Sequence, residues 1–514
     1  MEPRGSGLDT EQLTAGNGRA RTLNDKQPGR PRRSGGDNVP EGGAFVLYWM
    51  QRAQRTADNH ALETAVSAAN QLGLPVLVAF VLTDDYPEAN LRHYRFMAEG
   101  LRDVAAACRR RDIGFTLRYG SPPRVVSELA QSAACVVCDG AYLRHLRDWR
   151  QQVANASPVS VLEVETDIVV PVEVASDKRE YAARTIRKKV MARLEDYLAL
   201  PSAERPEHPA SRIPSRFTDT PAGASSGGTG ERAGARTGAH NVLDPGDPEV
   251  LCASLDLDRS VPAVPWFLTG GEQEATRRFE DFLADRAHLY AENRNEPAAT
   301  DTSYMSAYLH FGHISPVRLV MRMREAAEAD GGIRDSLDGF VEELVVRREL
   351  SQNYVYFEPR YDRYEALPDW ARATLSEHTS DERPALYSTE ELERAETSDP
   401  YWNAAMREML ATGYMHNYMR MYWGKKILEW SEDPAEAFRR TLYLNNRYFI
   451  DGRDPASYAN VAWIFGLHDR PWPERPVFGK VRSMKASGLE RKCDMPGYIA
   501  RVEQLEAEAW RNGV

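Results

Sequence analysis

Between Ala44 and Glu165 the chain alternates short, fully apolar runs with amphipathic stretches. The apolar runs predict strands at Phe45–Met50, Val76–Leu82, Gly114–Tyr119, Ala134–Cys138 and Val159–Glu165. The intervening stretches predict helices at Asn59–Leu72, Leu91–Arg111, Pro123–Ser132 and Tyr142–Ala154. Strands that are apolar on both faces and separated by helices indicate a parallel sheet covered on both sides. This part is therefore predicted to be a doubly wound, Rossmann-like α/β domain, with its ligand beyond the carboxyl ends of the strands.

From Trp266 onward the strand pattern ends, and long helical patterns predict an all-α C-terminal domain. These patterns cover Glu272–Arg294, Pro316–Ala327, Ile333–Phe357, Trp402–Thr412, Tyr414–Trp430 and Pro434–Leu442. Residues 1–43 hold nine Gly, four Pro and no aromatic residue, a composition that predicts a disordered tail. We thus expect a tail over 1–43, an α/β domain over 44–199, a linker over 200–265 and a helical domain over 266–514. The linker carries a Gly/Ser-rich insertion at 214–247.

The 514 residues carry a formal net charge of -11, which argues against a uniformly basic nucleic-acid coat but allows a local basic patch. Such a patch is found at Arg470–Lys492, with seven Lys or Arg and two acidic residues, and it suits either a phosphate backbone or a solvated face. The longest apolar runs have seven residues, so we expect no membrane span and no secretory signal. Five Cys in so long a chain predict a reducing, cytoplasmic setting.

Four stretches could carry chemistry, and each also has a plain structural interpretation. The hydroxyls of Asp301–Ser306 precede a helical run, so they could bind phosphate or simply cap a helix. Glu343 and Arg347 are four apart on a helix that is apolar over much of its girth, which is the spacing of an ion pair. Leu444–Arg447 and Asp451–Pro455 have the residues of turns and hold two carboxylates and two amides close in sequence.

The fourth stretch is aromatic. Trp423 and Trp430 are seven apart, which on a helix is about 10.5 Å along nearly one face. Trp402 lies upstream in a separate predicted helix that could pack alongside. These rings form either an aromatic core stripe or a relay of oxidisable groups that runs from a buried redox centre to the surface.

Together these stretches resemble the photolyase/cryptochrome family, and most closely its class II cyclobutane pyrimidine dimer photolyases. The resemblance extends from about Ala44 to Trp510. It is carried by Tyr48–Arg52, Ser176–Arg187, Glu342–Leu350, Tyr418–Trp430, Asp451–Pro455 and Phe465–Trp472.

The resemblance implies a light-driven DNA repair enzyme that acts on DNA containing pyrimidine dimers. We separately expect the protein to be a monomer. In that family a reduced FAD, buried in the helical domain, absorbs blue or near-ultraviolet light and passes an electron to the dimer. The cyclobutane ring then splits and the electron returns. Because a dimer inside a duplex cannot reach a buried flavin, it must be flipped out of the stack.

The resemblance also implies roles for individual residues. The positions that match FAD-binding residues are Tyr290, Thr302, Ser303, Met305, Ser306, Arg347, Arg420, Asn445 and Asp451. Within this set Arg420 and Asp451 match a pair beside the flavin ring, and Asn445 matches an amide near flavin N5. The positions that match dimer-contacting residues are Glu343, Met421, Trp463 and Asn417. The positions that match the electron-transfer chain are Trp423, Trp402 and Trp430, and a phosphate patch is expected at Arg470, Lys480 and Arg482.

Several points stay open. Asn417, Asn446 and Ala456-Ser457 differ from the commonest class II sequence, which could alter flavin tuning. The family's α/β domain often holds a second, antenna chromophore, and either a deazaflavin or a folate is compatible with the residues here. The alternative functions are a cryptochrome-like photoreceptor and a (6-4) photoproduct photolyase, whose chemistry relies on active-site His residues.

Overall fold

The computed structural model describes residues 18–26, 43–218 and 242–514. Within them, the N-terminal part contains a sheet with strand order β1-β6-β5-β2-β3-β4-β7. The strands are β1 (Ala20–Thr22), β2 (Phe45–Met50), β3 (Val76–Leu82), β4 (Gly114–Tyr119), β5 (Ala133–Asp139), β6 (Val161–Val164) and β7 (Val242–Leu243). The five central strands, β2 to β6, run parallel, which confirms the predicted doubly wound sheet.

The two edge strands pair antiparallel with their neighbours and were not predicted. Strand β1 lies in the predicted tail, so the prediction of disorder over 1–43 is wrong for residues 18–26. This segment is held by the buried Arg19 guanidinium, which donates hydrogen bonds to the carbonyls of Ile168, Val169 and Tyr197. The prediction of disorder used local composition, which gives no information about hydrogen bonds to residues so far away in sequence. The rest of the predicted tail and the core of the predicted insertion, residues 1–17, 27–42 and 219–241, lie outside the described residues.

Helices cover both faces of the sheet. Successive strand residues point to opposite faces, and strands β2 and β3 are apolar throughout, so both faces must be buried. The helices of this part and of the linker are α1 (His60–Leu72), α2 (Leu91–Arg110), α3 (Pro122–Ala130), α4 (Arg144–Ala156), α5 (Val172–Ala175), α6 (Ala183–Met191), α7 (Leu194–Tyr197) and α8 (Pro248–Ala253). One core lies between the sheet and α1 and α2 and contains Tyr48, while the other lies under α3 and α4 and contains Trp49. Cys135 and Cys138 of β5 fall into different cores, as expected for core residues rather than a metal pair.

The C-terminal part is helical. Its α-helices are α9 (Glu272–Asp285), α10 (Tyr290–Asn293), α11 (Ser306–His310), α12 (Pro316–Ala329), α13 (Arg334–Val341), α14 (Arg348–Phe357), α15 (Asp369–Glu377), α16 (Thr389–Glu393), α17 (Pro400–Thr412), α18 (Asn417–Glu429), α19 (Pro434–Tyr448), α20 (Pro455–Ile464), α21 (Ala486–Glu490) and α22 (Met495–Arg511). A π-helical segment, Glu342–Arg347, joins α13 to α14. None of the helices in the described ranges is both long enough and apolar enough to span a bilayer.

Most predicted helices and strands differ from the observed ones by at most a few residues at their ends, but two predicted helices differ more. The predicted helix Glu272–Arg294 is broken by a 3₁₀ turn at Ala287–Leu289. The predicted helix Pro434–Leu442 continues to Tyr448, so Asn445 and Asn446 lie on α19 rather than in a turn. Asn has a weak intrinsic preference for helices, and here the tertiary contacts of its side chains outweigh that preference.

Buried ion pairs join the carboxyl end of β2 to the helical domain. The Arg52 guanidinium lies 2.8 Å from the Asp454 carboxylate, and both side chains are less than one-tenth exposed. Asp454 also caps α20 by accepting the backbone N–H of Ala456 at 2.8 Å. Burial would raise the pKa of Asp454, but the Arg52 charge and a hydrogen bond from His310 outweigh it and hold that pKa below its usual value. The first turn of α20 is thereby tied to the sheet.

The turn after β2 is itself held by Asp139, at the end of the neighbouring strand β5. Its carboxylate accepts the backbone N–H groups of Gln51 at 2.8 Å, Arg52 at 2.6 Å and Ala53 at 3.0 Å. The backbone of Arg52 is thus held by the sheet, through Asp139, while its guanidinium is paired with Asp454 of the helical domain. This residue therefore fixes the position of one domain against the other.

We expect Arg52→Met to lower the free energy of unfolding by about 3–5 kcal/mol, because it leaves the buried Asp454 carboxylate without its partner. Urea unfolding followed by circular dichroism measures this loss. The control is Arg372→Ala, which removes an exposed pair with Asp369 and should cost at most about 1 kcal/mol. Equal losses in the two variants would show that the Arg52–Asp454 pair does not tie the domains together.

Candidate active site

The hydroxyl-rich loop before α11 is held in a strained conformation. Tyr304 has φ 56°, in the left-handed region that costs a non-glycine residue of order 1 kcal/mol or more. Its ring packs 4.8 Å from that of Tyr414, and the Arg420 guanidinium lies 5.7 Å from the Tyr414 ring. The side chains of Ser303 and Ser306 make no hydrogen bond within the described residues, whereas Met305 is buried. The loop therefore leaves two serine hydroxyls without a partner among the described residues, and Tyr304 connects the loop through Tyr414 to Arg420.

Arg420 and Asp451 form a two-point ion pair, with N–O distances of 3.0 and 3.1 Å. The Arg420 Nε also donates to the Met415 carbonyl at 3.0 Å, and its guanidinium lies 3.9 Å from the ring centre of Phe449. These contacts fix the guanidinium plane in one orientation. Helix α18 and the turn after α19 are joined at this point.

Asn445 lies one helical turn before Phe449, on α19, and is buried. Its Nδ2 donates to Asn446 Oδ1 at 3.0 Å. In the described part of the chain its Oδ1 accepts no hydrogen bond. Among the described residues this oxygen is thus an acceptor that no protein donor uses, on a side chain that is otherwise packed away from solvent.

The three tryptophans named above form one contact line. The rings of Trp423 and Trp402 are stacked, with centres 6.4 Å apart and planes 10° apart. Trp402 meets Trp430 edge-on at 5.6 Å, and its Nε1 donates to the Trp423 carbonyl at 3.0 Å. Phe449 packs 6.2 Å from Trp423 and so connects the line to Arg420. The order in space is Trp423, Trp402, Trp430, although Trp402 comes first in sequence.

The expected outer end of the line is not open to solvent. Trp430 is only 5% exposed, because Tyr387 packs edge-on at 5.1 Å and the Lys426 ammonium lies 5.5 Å from the ring centre. Lys426 is in turn paired with Glu429 at 2.7 Å. The line therefore ends just beneath the surface.

Glu343 does not pair with Arg347, contrary to the prediction from their spacing. In the π-helical segment groups five apart are aligned, so the Arg347 guanidinium pairs with Glu342 at 2.9 Å. Arg347 is half exposed and makes no hydrogen bond or ion pair with the other residues assigned to the flavin. Glu343 is held instead by Arg294, at 2.9 Å.

Arg294 was not singled out from the sequence, because 49 residues separate it from Glu343. It lies just after α10, which carries Tyr290. Burial and then the nearby Glu343 charge raise the pKa of Tyr290 to about 12, so the phenol stays protonated at neutral pH. The three side chains form one polar cluster beside the π-helical segment.

Trp463, on the last turn of α20, is half-buried and lies against two cations. The Lys425 ammonium is 5.1 Å from its ring centre, and the Arg482 guanidinium is 5.9 Å away. Lys425 is fully buried and donates to the Ile464 carbonyl at the end of α20, and burial lowers its pKa to about 7. Met421 is half-buried on the same helix as Lys425, whereas Asn417, at the start of that helix, is exposed.

The basic residues predicted to bind phosphate gather around a tryptophan. Arg482 and Arg470 lie 4.9 and 5.6 Å from the ring centre of Trp472. The Lys480 carbonyl accepts the backbone N–H of Trp472 at 2.8 Å, and the Lys480 side chain is exposed. Because Arg482 contacts both Trp472 and Trp463, this patch adjoins the half-buried ring of Trp463.

A separate cavity opens at the carboxyl ends of β2 and β3, where a doubly wound sheet places its ligand. Its lining is mostly apolar and includes Trp49, Phe80, Tyr94, Leu143 and Trp149. The cavity is also bordered by the helical domain, through His310 and Arg453.

The chain is similar in sequence to known DNA photolyases. A family model described as DNA photolyase matches residues 46–210. A deoxyribodipyrimidine photo-lyase from Methanothermobacter thermautotrophicus is 43% identical over 93% of this chain and 99% of its own length. The chain belongs to the DNA photolyase family. Deoxyribodipyrimidine photo-lyases from Oryza sativa subsp. japonica and Potorous tridactylus are 39% and 38% identical over 91% and 90% of this chain, and over 89% and 82% of their own lengths.

Solved structures show the same fold. An archaeal photolyase from Sulfolobus tokodaii, crystallised with two FAD molecules, superposes with a TM-score of 0.61 at 15% identity and covers 90% of this chain and 93% of that chain. A bacterial class III photolyase from Agrobacterium tumefaciens superposes with a TM-score of 0.62 at 19% identity and covers 91% of this chain and 88% of that chain. The architecture of an α/β part followed by a helical part is thus shared across the photolyase family.

Proposed function

We propose that this chain repairs cyclobutane pyrimidine dimers in DNA by light-driven electron transfer from reduced FAD. The observation that carries the proposal is the line of rings from Phe449 through Trp423 and Trp402 to Trp430, which starts at the Arg420–Asp451 pair. A structural core needs no such ordered contact line with an ion pair at its inner end. The full-length relatives named as photo-lyases favour repair over a photoreceptor role.

The residues present fit a flavin dinucleotide. The free hydroxyls of Ser303 and Ser306 suit the phosphates, with Thr302 and the backbone of Met305 beside them. The Asn445 Oδ1, which accepts no hydrogen bond from the residues that the structure describes, suits the N5 side of the ring. The fixed Arg420–Asp451 pair suits the edge of the ring. Tyr290 completes the proposed set, together with Arg347, which lies at the surface and is paired with Glu342.

When bound, reduced FAD supplies the photoexcited electron that splits the cyclobutane ring and takes that electron back afterwards. The protein's own contribution is position, electrostatics and exclusion of water. Arg420 presents a fixed positive charge that is balanced by Asp451. Trp423, Trp402 and Trp430 provide a path by which an oxidised cofactor can be reduced from the surface side.

We assign the flipped dimer to the space between Glu343, Met421 and Trp463. Arg294 holds the Glu343 carboxylate in place, so it can accept hydrogen bonds from the bases. Trp463 and Met421 offer apolar surface to the dimer, and Asn417 lies exposed at the start of the same helix as Met421. The weakened stacking of a dimer lowers the cost of flipping it out of the duplex.

The patch of Arg470, Lys480 and Arg482 provides the phosphate contacts. We further propose that the chain acts as a cytoplasmic monomer; its five cysteines are all unpaired, as expected of a reducing compartment. The apolar cavity at the ends of β2 and β3 is the proposed site of an antenna chromophore, either a deazaflavin or a folate.

The proposal is tested with the purified protein, reconstituted with FAD, reduced and mixed with a dimer-containing oligonucleotide. Blue light should restore the normal thymine absorbance, while the same mixture kept dark should not change. If absorbance does not recover although the flavin is demonstrably reduced, the chain is not a dimer photolyase. The absorption spectrum of the same sample would also show an antenna band.

We expect Trp423→Phe to slow the photoreduction of oxidised flavin while leaving repair by pre-reduced enzyme within about twofold of wild type, because the substitution removes the ring at the inner end of the line. Photoreduction is followed by flavin absorbance, and repair by thymine absorbance. Trp266→Phe, which lies outside the line, serves as control. Equal loss of both activities in Trp423→Phe would mean that the ring is structural.

We expect Glu343→Ala to lower the repair yield per bound dimer by about tenfold, since it removes a charged hydrogen-bond acceptor worth more than 1 kcal/mol. Affinity for DNA should change little, because it depends on phosphate contacts and falls with salt. Flash-induced repair and fluorescence anisotropy measure the two quantities. Glu342→Ala, which removes the neighbouring carboxylate, is the control. A large loss of affinity with unchanged yield would reverse the assignment.

A further inference from the structure

A chain of side-chain hydrogen bonds runs from the α/β domain to Asn445. The Glu88 carboxylate, on the loop between β3 and α2, accepts Asn446 Nδ2 at 2.6 Å. Asn446 Oδ1 then accepts both the backbone N–H of Arg453 at 2.9 Å and Asn445 Nδ2 at 3.0 Å. Asn446 is fully buried, and its amide uses both of its ends.

In this series of hydrogen bonds, the donor and acceptor of each bond can be assigned in only one way. A backbone N–H can only donate, so the atom of Asn446 that faces Arg453 must be the carbonyl oxygen. The other end of that amide is then an NH₂ group, and it faces a carboxylate that can only accept. The atom of Asn445 that meets Asn446 Oδ1 must therefore be its NH₂ group. The Asn445 carbonyl oxygen is left free as an acceptor.

The loop that carries Glu88 is held against α19 by an independent contact. Asn90 Nδ2 donates to the Arg447 carbonyl at 2.7 Å. Glu88 itself has φ 57°, a left-handed conformation that a non-glycine residue adopts at a cost of about 1 kcal/mol or more. The residue that carries this strain is the same one whose carboxylate accepts the hydrogen bond from Asn446.

We propose that Glu88, acting through Asn446, is a positioning residue that holds the Asn445 amide with its carbonyl oxygen toward flavin N5. This inference rests on the proposed function, in which Asn445 lies beside N5. Reduced flavin carries a hydrogen on N5, and oxidised flavin does not. A fixed acceptor at this place stabilises the reduced forms, whereas a reversed amide would present NH₂ and stabilise the oxidised form.

The proposal gives Asn446, a departure from the commonest class II sequence, a definite role. An amide at this position can donate to Glu88 while it accepts from Asn445, whereas an acidic side chain would meet the Glu88 carboxylate as a like charge. The redox preference of the flavin would then be set partly by a residue of the other domain.

The test compares two variants that remove the same charge. Glu88→Gln retains a carbonyl that can accept from Asn446, whereas Glu88→Ala does not. Each variant is reconstituted with FAD, and the ratio of reduced to oxidised flavin is measured at a fixed potential by spectroelectrochemistry. Asp85→Ala, which removes a carboxylate from the same loop, controls for charge, and Asn446→Ala breaks the chain at its centre.

We expect the reduced-to-oxidised ratio to fall about fivefold in Glu88→Ala relative to Glu88→Gln, as for the loss of one oriented hydrogen bond. Asn446→Ala should show a similar fall relative to wild type, and Asp85→Ala should match wild type. Equal ratios in Glu88→Ala and Glu88→Gln would overturn the proposal, and dimer repair by the wild-type protein would then still stand. A wild-type protein that binds no FAD would overturn both.

Discussion

The buried pair of Arg52 and Asp454 is the constraint on which the rest of the structure depends. Burying a charged side chain without an oppositely charged partner is energetically costly. The Arg52–Asp454 pair therefore holds the end of β2 against the first turn of α20. Asp454 follows directly after the turn that carries Asp451, and Asp451 is paired with Arg420. The sheet is thereby connected, through three residues of one turn, to the ion pair at the centre of the proposed flavin site.

From that ion pair the site extends in two chemically different directions. On one side are aromatic rings in contact, beginning at Phe449 and ending at Trp430 beneath the surface. On the other side are polar groups, including the free amide oxygen of Asn445 and the cluster of Arg294 and Glu343. Electron transfer needs the first arrangement, and recognition of a polar substrate needs the second. Helices α18 and α19 contribute to the aromatic line and to Asn445, whereas Glu343 lies on the π-helical segment and Arg294 just after α10.

Several features could be predicted from local pattern. The strands at Phe45–Met50 and Val76–Leu82 have the predicted bounds, because a fully apolar run of that length has few alternatives to a buried strand. The helices that carry Trp402 and Trp423 were predicted from their helical residue patterns. The predicted pairing of Glu343 with Arg347 is wrong, because the π-helical segment aligns residues five apart and so pairs Arg347 with Glu342. Strand β1 was missed because it is held in place by hydrogen bonds from Arg19 to backbone carbonyls that are about 150 or more residues away in sequence.

The sequence by itself determined the fold class, the family and the identity of the chemically active side chains, because these follow from residue type and local periodicity. Only the tertiary structure decided which of those side chains meet. It placed Trp402 between Trp423 and Trp430, gave Glu343 the partner Arg294, and connected Asn445 to Glu88 through Asn446. Contacts between residues far apart in the chain depend on how helices and sheet pack around buried charges, and no local pattern records that packing.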